Sequence, residues 1–136
     1  MGMKEALRSV FNNYFNFDGR ARRSEYWFFL LFNVLVNLAF VALLSIPREN
    51  SALFRLLSGL ASLYSLAVFV PGLAVCWRRL HDIGKSGANW FWAFAPIVGP
   101  ILLLVWFCRE GDPGENAFGP DPKEQERFHD NHNYYE

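Results

Sequence analysis

The sequence predicts an all-α membrane protein with three transmembrane helices, a short amphipathic interfacial helix before them and a polar C-terminal tail after them. Three observations predict this class. First, residues 26–46, 56–77 and 89–107 are apolar stretches of 19–22 residues that hold no Asp, Glu, Lys, Arg or His. At roughly 1.5 Å of helix rise per residue each spans about 30 Å, the thickness of a bilayer's hydrocarbon core. Second, Trp27, Trp77, Trp90, Trp92 and Trp106 all fall at or near the end of a stretch. Indole joins an apolar body to one N–H donor and prefers the headgroup boundary. Third, charge is segregated. Residues 1–109 carry 11 Lys/Arg and 5 Asp/Glu, whereas residues 110–136 carry 2 and 8, so the formal zero is a cancellation of +6 against −6. The 136 residues suit one domain, expected at 1–122, with a disordered polar tail at 123–136.

The interfacial helix comes first. Leu7, Val10, Phe11, Tyr14 and Phe15 fall at i, i+3, i+4, i+7 and i+8, and Lys4, Arg8, Asn12 and Asn13 occupy the rest. Such a helix is expected to lie in the headgroup plane, the alternative being that it packs against the ends of the spans. Asp18 and Gly19 then make a turn. The first 25 residues are polar and no cleavable signal peptide is apparent, so the first span is expected to act as its own insertion signal. Orientation follows from basic residues near the spans. Arg20, Arg22, Arg23, Arg78, Arg79 and Lys85 on one side outnumber Arg48, Arg55 and Arg109 on the other, six to three. The N-terminus is therefore expected in the cytoplasm and the C-terminus outside. Full crossings would put Cys76 and Cys108 on opposite sides of the membrane, beyond the reach of a disulfide.

Polar residues inside the spans are few and patterned. Asn33 and Asn37 share a face of span one, which should point inward or to a partner. Ser58, Ala61, Ser62 and Ser65 on span two, and Ala95 and Gly99 on span three, are small residues that let helices approach. Pro96 and Pro100 around Gly99 predict a bend near mid-membrane. A re-entrant hairpin turning at residues 98–100 is the lesser expectation, because arms of about 8–9 residues cover only near half of a crossing.

The loop Arg78-Arg-Leu-His-Asp-Ile-Gly-Lys-Ser-Gly87 looks the most functional. Two guanidiniums, an ammonium and a hydroxyl in ten residues suit a phosphate or lipid headgroup. The candidate binding set is Arg20, Arg23, Glu25, Arg78, Arg79, His81, Asp82, Lys85 and Ser86. The competing view is that these charges anchor the loop and pair with one another. Glu25 at the start of span one is expected to pair with Arg79 or His81. The Gly84-Lys85-Ser86 run lacks the first glycine and the strand of a phosphate-binding loop. No catalytic residues, cofactor or metal ligands are assigned. His81-Asp82 lacks further ligands, and His129 with His132 in the tail is too small a set. The aromatics belong to apolar runs, which speaks against a nucleic-acid surface. Residues 110–122 are dense in turn formers and should form a loop anchored by Phe118, or else extended chain.

Three segments resemble the bacterial DUF805 family of small inner-membrane proteins. Phe17-Asp-Gly-Arg-Ala-Arg-Arg-Ser-Glu-Tyr-Trp27 is similar to that family's F-x-G-R-x-x-R-x-E-Y/F-W. The loop at 78–87 is similar to R-R-x-H-D-x-G-x-S-G. Gly111-Asp-Pro-Gly-Glu-Asn-Ala-Phe-Gly-Pro-Asp-Pro122 is similar to G-x-x-G-x-N-x-F/Y-G-x-D-P. The resemblance covers roughly residues 10–122 and implies a bacterial inner-membrane protein. The family has no established biochemical function, so it supplies no mechanism. The residues then favour a non-enzymatic module that contacts anionic lipid, or a membrane partner, through the cytosolic Arg/His/Asp cluster. That partner would be a second copy or a larger membrane protein, because three helices bury little against one another. A transporter or channel subunit with Asn33, Asn37 and the 96–100 kink along a path is the first alternative, opposed by the lack of embedded charge. A membrane enzyme acting on lipid phosphate through Arg79, His81 and Asp82 is the second.

Overall fold

Two long helices dominate the fold. The computed structural model describes residues 2–133, with side chains to His129. Its α-helices are α1 (Met3–Asn12), α2 (Arg23–Leu44), α3 (Ala52–Asp82), α4 (Val98–Cys108) and α5 (Glu124–Asn133), and a 3₁₀ helix covers Gly87–Phe94. Of the described helices, α2 and α3 are long and apolar enough to cross a membrane. Ser51 starts α3 by accepting a hydrogen bond from the Phe54 amide, 3.1 Å away. With 31 residues, α3 is about 46 Å long and outreaches the hydrocarbon core. Its last turns, which hold Arg78 to Asp82, therefore extend past the apolar stretch.

The expected third span is not one helix. The 3₁₀ helix gives way at Ala95 to a tight turn, in which the Val98 amide donates to the Pro96 carbonyl at 2.7 Å around Ile97 at φ +65°. This is a γ-turn, a strained conformation for a β-branched residue. Ala95 is extended, as the residue before a proline must be. Pro100 sits in the first turn of α4, where a missing N–H costs nothing. The two prolines and Ile97 thus reverse the chain instead of bending it. The arms match. Eight residues of 3₁₀ helix at about 2.0 Å and eleven of α-helix at about 1.5 Å each reach about 16 Å, half of a hydrocarbon core. The returning arm ends where the hairpin began: the Phe107 carbonyl accepts from Arg79 of α3 and from the Trp27 indole of α2. Gly99 is needed at the crossing, because a Cβ there would lie 1.6 Å from the Trp92 carbonyl oxygen.

Three corrections follow. Cys76 and Cys108 lie toward the same end of the bundle. Cys76 packs on the cluster of Leu80, Leu103 and Phe107, and Cys108 is the next residue after Phe107. Arg109 shares that end with Arg23 and Arg79, contrary to the charge count that placed it across the membrane. The polar tail is helical over Glu124–Asn133, and the rest of the segment expected to be disordered, residues 134–136, lies outside the described residues.

The helix α1 packs instead of standing apart. Ala6 and Val10 are fully buried, and Val10 joins Ala21, Phe29 and Val75 in one apolar cluster. Phe11 and Phe15 remain exposed, so the amphipathic face divides between the bundle and its surroundings. A proline in α3 explains how the residues just after α1 are held. Pro71, inside α3, has no N–H to give the Ala67 carbonyl four residues earlier. The Tyr14 hydroxyl donates to that carbonyl instead.

Candidate functional site

The three sequence motifs meet at one end of the bundle. Their centre is Asp82, which closes α3 and is buried. Arg20 Nε lies 3.0 Å from Asp82 Oδ1, and Arg79 Nη1 lies 2.8 Å from Asp82 Oδ2. Arg20 is almost wholly buried, and its five N–H groups face five oxygens. Besides Asp82 Oδ1 these are the carbonyls of Gly114 at 2.6 Å, Gly119 at 3.3 Å, Asp82 at 3.3 Å, and Asp112. Arg79, with no exposed side-chain surface, donates to the Phe107 carbonyl at 3.3 Å and to that of Arg109. Those carbonyls end α4, where they have no partner within the helix. Arg23 reaches the Cys108 carbonyl between them, at 3.2 Å. Three side chains from other elements therefore cap α4, and cations suit the negative end of its dipole.

A second pair lies beside the first. Arg78 Nη1 is 2.7 Å from Glu25 Oε1, and Ser9 of α1 donates to the same oxygen at 3.0 Å. Glu25 thus pairs with Arg78, not with Arg79 or His81 as its position suggested. Neighbouring residues on a helix point about 100° apart, and Arg79 is the one turned toward Asp82 and α4. Among the described residues, Arg78 Nε and Nη2 have no hydrogen-bond partner.

His81 holds the loops. Its Nδ1 is 2.8 Å from the Gly19 carbonyl, which can only accept, so Nδ1 carries the proton. Phe118 stacks on its ring at 4.1 Å with an angle of 1° between planes. That is the anchoring role expected of Phe118. Asn116 donates to the His81 carbonyl at 2.9 Å, and the Asp112 amide to that of Asp82 at 2.7 Å. Glycines allow the approach. A Cβ on Gly111 would lie 2.1 Å from Asp82 Oδ2, and Gly84, at φ +75°, would bring one within 2.6 Å of Asp112.

Two candidates lie at the edge of the clasp. The Lys85 ammonium sits 4.6 Å from the centre of the Trp106 ring, and the Ser86 hydroxyl caps the 3₁₀ helix through the Ala88 amide at 3.3 Å. Apart from Arg23, sequence reasoning missed the outer layer. Arg23, Lys123 and Arg127 all reach Glu110, Arg127 also reaches Asp121 at 2.7 Å, and Arg22 reaches Glu126 at 2.5 Å. The acidic surplus after residue 109 was the available signal: it faces the basic surplus before it. Burial pushes the Glu110 carboxyl up, but Lys123, Arg23 and Arg127 outweigh this and leave it below the usual carboxylate range. For Asp121, burial is likewise outweighed, by the Lys123 and Gly114 amides and by Arg127. The hydrogen bond from Arg22 lowers Glu126.

Two of the hollows near the clasp border α2. An apolar groove of about 260 Å³ runs between α2 and α3, with Phe29, Asn33, Gly72 and Trp90 in its walls. Asn33 accepts from Tyr64 at 2.8 Å, so it does face inward, whereas Asn37 is exposed and donates to the Asn33 carbonyl at 2.8 Å. A cleft of about 450 Å³ lies between the start of α2 and the end of α4. No group of three or more His, Cys, Asp or Glu among the described residues could hold a metal ion.

Two long apolar helices whose exposed surface is mostly Leu, Val and Phe, closed at one end by a charged clasp, define an integral membrane protein. The comparisons with known proteins agree. The family described as protein of unknown function (DUF805) matches residues 14–120, and the chain belongs to that family. The inner membrane protein YhaI of Escherichia coli K12 is 46% identical over 115 residues, covering 85% of this chain and 92% of that one. The inner membrane protein YhaH of the same strain is 43% identical over 119 residues, covering 84% and 93%. No solved structure matches.

Proposed function

We propose that the chain is a non-enzymatic module of the inner membrane that crosses it twice. The hairpin of the 3₁₀ helix and α4 re-enters from the side of the clasp, and both termini lie in the cytoplasm. The observation that carries this reading is the closure of the clasp. The side chains of Arg20, Arg79 and Asp82 are buried and committed to one another and to carbonyls at the chain reversals. Residues so engaged hold the two crossings, the hairpin and the third motif together, and the polar atoms of Arg79 and Asp82 are taken up by ion pairs and backbone groups. This argues against a lipid-phosphate enzyme built on Arg79, His81 and Asp82. The inward bond from Tyr64 to Asn33 likewise disfavours a solute path.

The orientation rests on charge. With Arg109 moved to the clasp, that end holds Arg20, Arg22, Arg23, Arg78, Arg79, Lys85 and Arg109 against Arg48 and Arg55, seven to two. Basic residues stay cytoplasmic during insertion. The less buried cations Arg23, Lys85, Arg109 and Lys123 favour contact with anionic headgroups. The test is a set of reporter fusions after residues 50, 85 and 125. The reading expects cytoplasmic signals at 85 and 125 and an external one at 50. Signals on opposite sides at 85 and 125 would overturn it.

A further inference from the structure

We infer that the cleft between the start of α2 and the end of α4 binds the phosphodiester headgroup of an anionic phospholipid. This rests on the membrane reading above and gives it a site. The cleft is lined by Arg23, Ser24, Trp27, Cys108 and Lys123. Four observations meet there.

The first is charge. Arg23, Lys123 and Arg127 share two carboxylates, Glu110 and Asp121, which leaves one cation in excess. Arg23 and Lys123 come from different elements and both border the cleft, so an anion entering it meets donors on two sides. Second, the Ser24 hydroxyl is shielded from solvent and has no hydrogen-bond partner among the described residues. A phosphate oxygen is an acceptor it lacks. Third, depth is marked. The Trp27 indole donates to the Phe107 carbonyl at 3.1 Å and forms one wall, at the boundary indole prefers. Fourth, the walls continue as an apolar track. Leu31 and Val34 follow Trp27 by one and two turns, and Leu104 and Ile101 precede Cys108 by the same steps. All four are exposed, and they offer acyl chains a path that leads down from the headgroup. A free phosphate would use the cations and the hydroxyl but not this track.

The test is native mass spectrometry of the full chain in detergent micelles. Phosphatidylglycerol, phosphatidylcholine of the same acyl length and inorganic phosphate are the probes. Retention of phosphatidylglycerol over phosphatidylcholine by about tenfold is expected from one or two Lys/Arg contacts. Lys123→Gln removes charge, whereas Cys108→Trp fills the cleft from an exposed position and leaves every charge in place. Each should lower phosphatidylglycerol retention about fivefold, the worth of roughly one cation contact. Arg48→Gln, at the far end, should not. If one variant fails to unfold cooperatively, the other carries the test. Unchanged retention in a folded variant overturns the site and leaves the wider lipid reading standing. Equal retention of the two lipids removes both. Displacement of the lipid by millimolar inorganic phosphate overturns the lipid assignment in favour of the free ion.

Discussion

The two ends of the α2–α3 pair are stabilised by different means. At the clasp, α1, α2, α3, the hairpin and the third motif meet, and Arg20, Glu25, Arg78, Arg79 and Asp82 are all inside. At the other end Leu38, Val41, Leu56, Leu60 and Leu63 stand open to their surroundings. A hydrocarbon solvent accepts those side chains as readily as a protein core does, so packing them gains little. Where the chain leaves the hydrocarbon, both apolar clusters are buried and the charges are enclosed against them. A buried ion pair is a poor source of net stability but is severely disrupted when one member goes. The clasp is therefore better understood as a device for specificity, which fixes where each loop and each helix end must be.

The contrast is broken most strongly by Asp82→Asn, which leaves Arg20 and Arg79 without their shared carboxylate. It should cost about 3–5 kcal/mol, read from unfolding in mixed micelles. Leu38→Ala, at an exposed site in the other half, should stay within about 0.5 kcal/mol. Equal effects would remove the distinction between the ends. Next comes Tyr14→Phe, expected to cost about 1–2 kcal/mol because the Ala67 carbonyl loses its donor. In a Pro71→Ala background the α3 amide can serve that carbonyl, so the second loss should shrink. A double-mutant cycle with no coupling would sink that account. Ile97→Gly should stabilise by about 1 kcal/mol, since glycine adopts the turn conformation without strain. A loss of stability there would mean that the Ile97 side chain packs against something unseen. The smallest effect concerns acid. The folded pKa values of Glu110 and Asp121 are depressed, so their contribution is complete above the ordinary carboxyl range, near pH 4, and is lost as pH falls below it. The pairs of Glu110 are partly exposed and each is weak. Protease sensitivity of residues 110–133 should rise below about pH 4 while α2 and α3 stay intact. Sensitivity unchanged down to pH 2 would show that these carboxylates do not dock the segment.

Hydropathy was enough to find α2 and α3, because each is apolar for a full crossing. It could not separate a third crossing from two half-crossings, since both are apolar throughout. The deciding residues were Pro96, Ile97 and Pro100, whose effect depends on backbone angles rather than composition. The motif residues did converge as their charges suggested, but their partners were not legible. Arg78 and Arg79 are equivalent in sequence and face different carboxylates. The helical α5 was hidden because its propensity is weak and its support comes from distant groups, Arg22 with Glu126 and Glu110 with Arg127.

The half-length hairpin has a mechanical consequence. In the orientation proposed, the cytoplasmic monolayer must make room for α2, α3 and both hairpin arms, with α1 alongside, whereas the outer monolayer accommodates α2 and α3 alone. The molecule is tapered, and a tapered inclusion spreads one sheet of lipid more than the other. Crowded together, many copies would bend the membrane toward the narrow side.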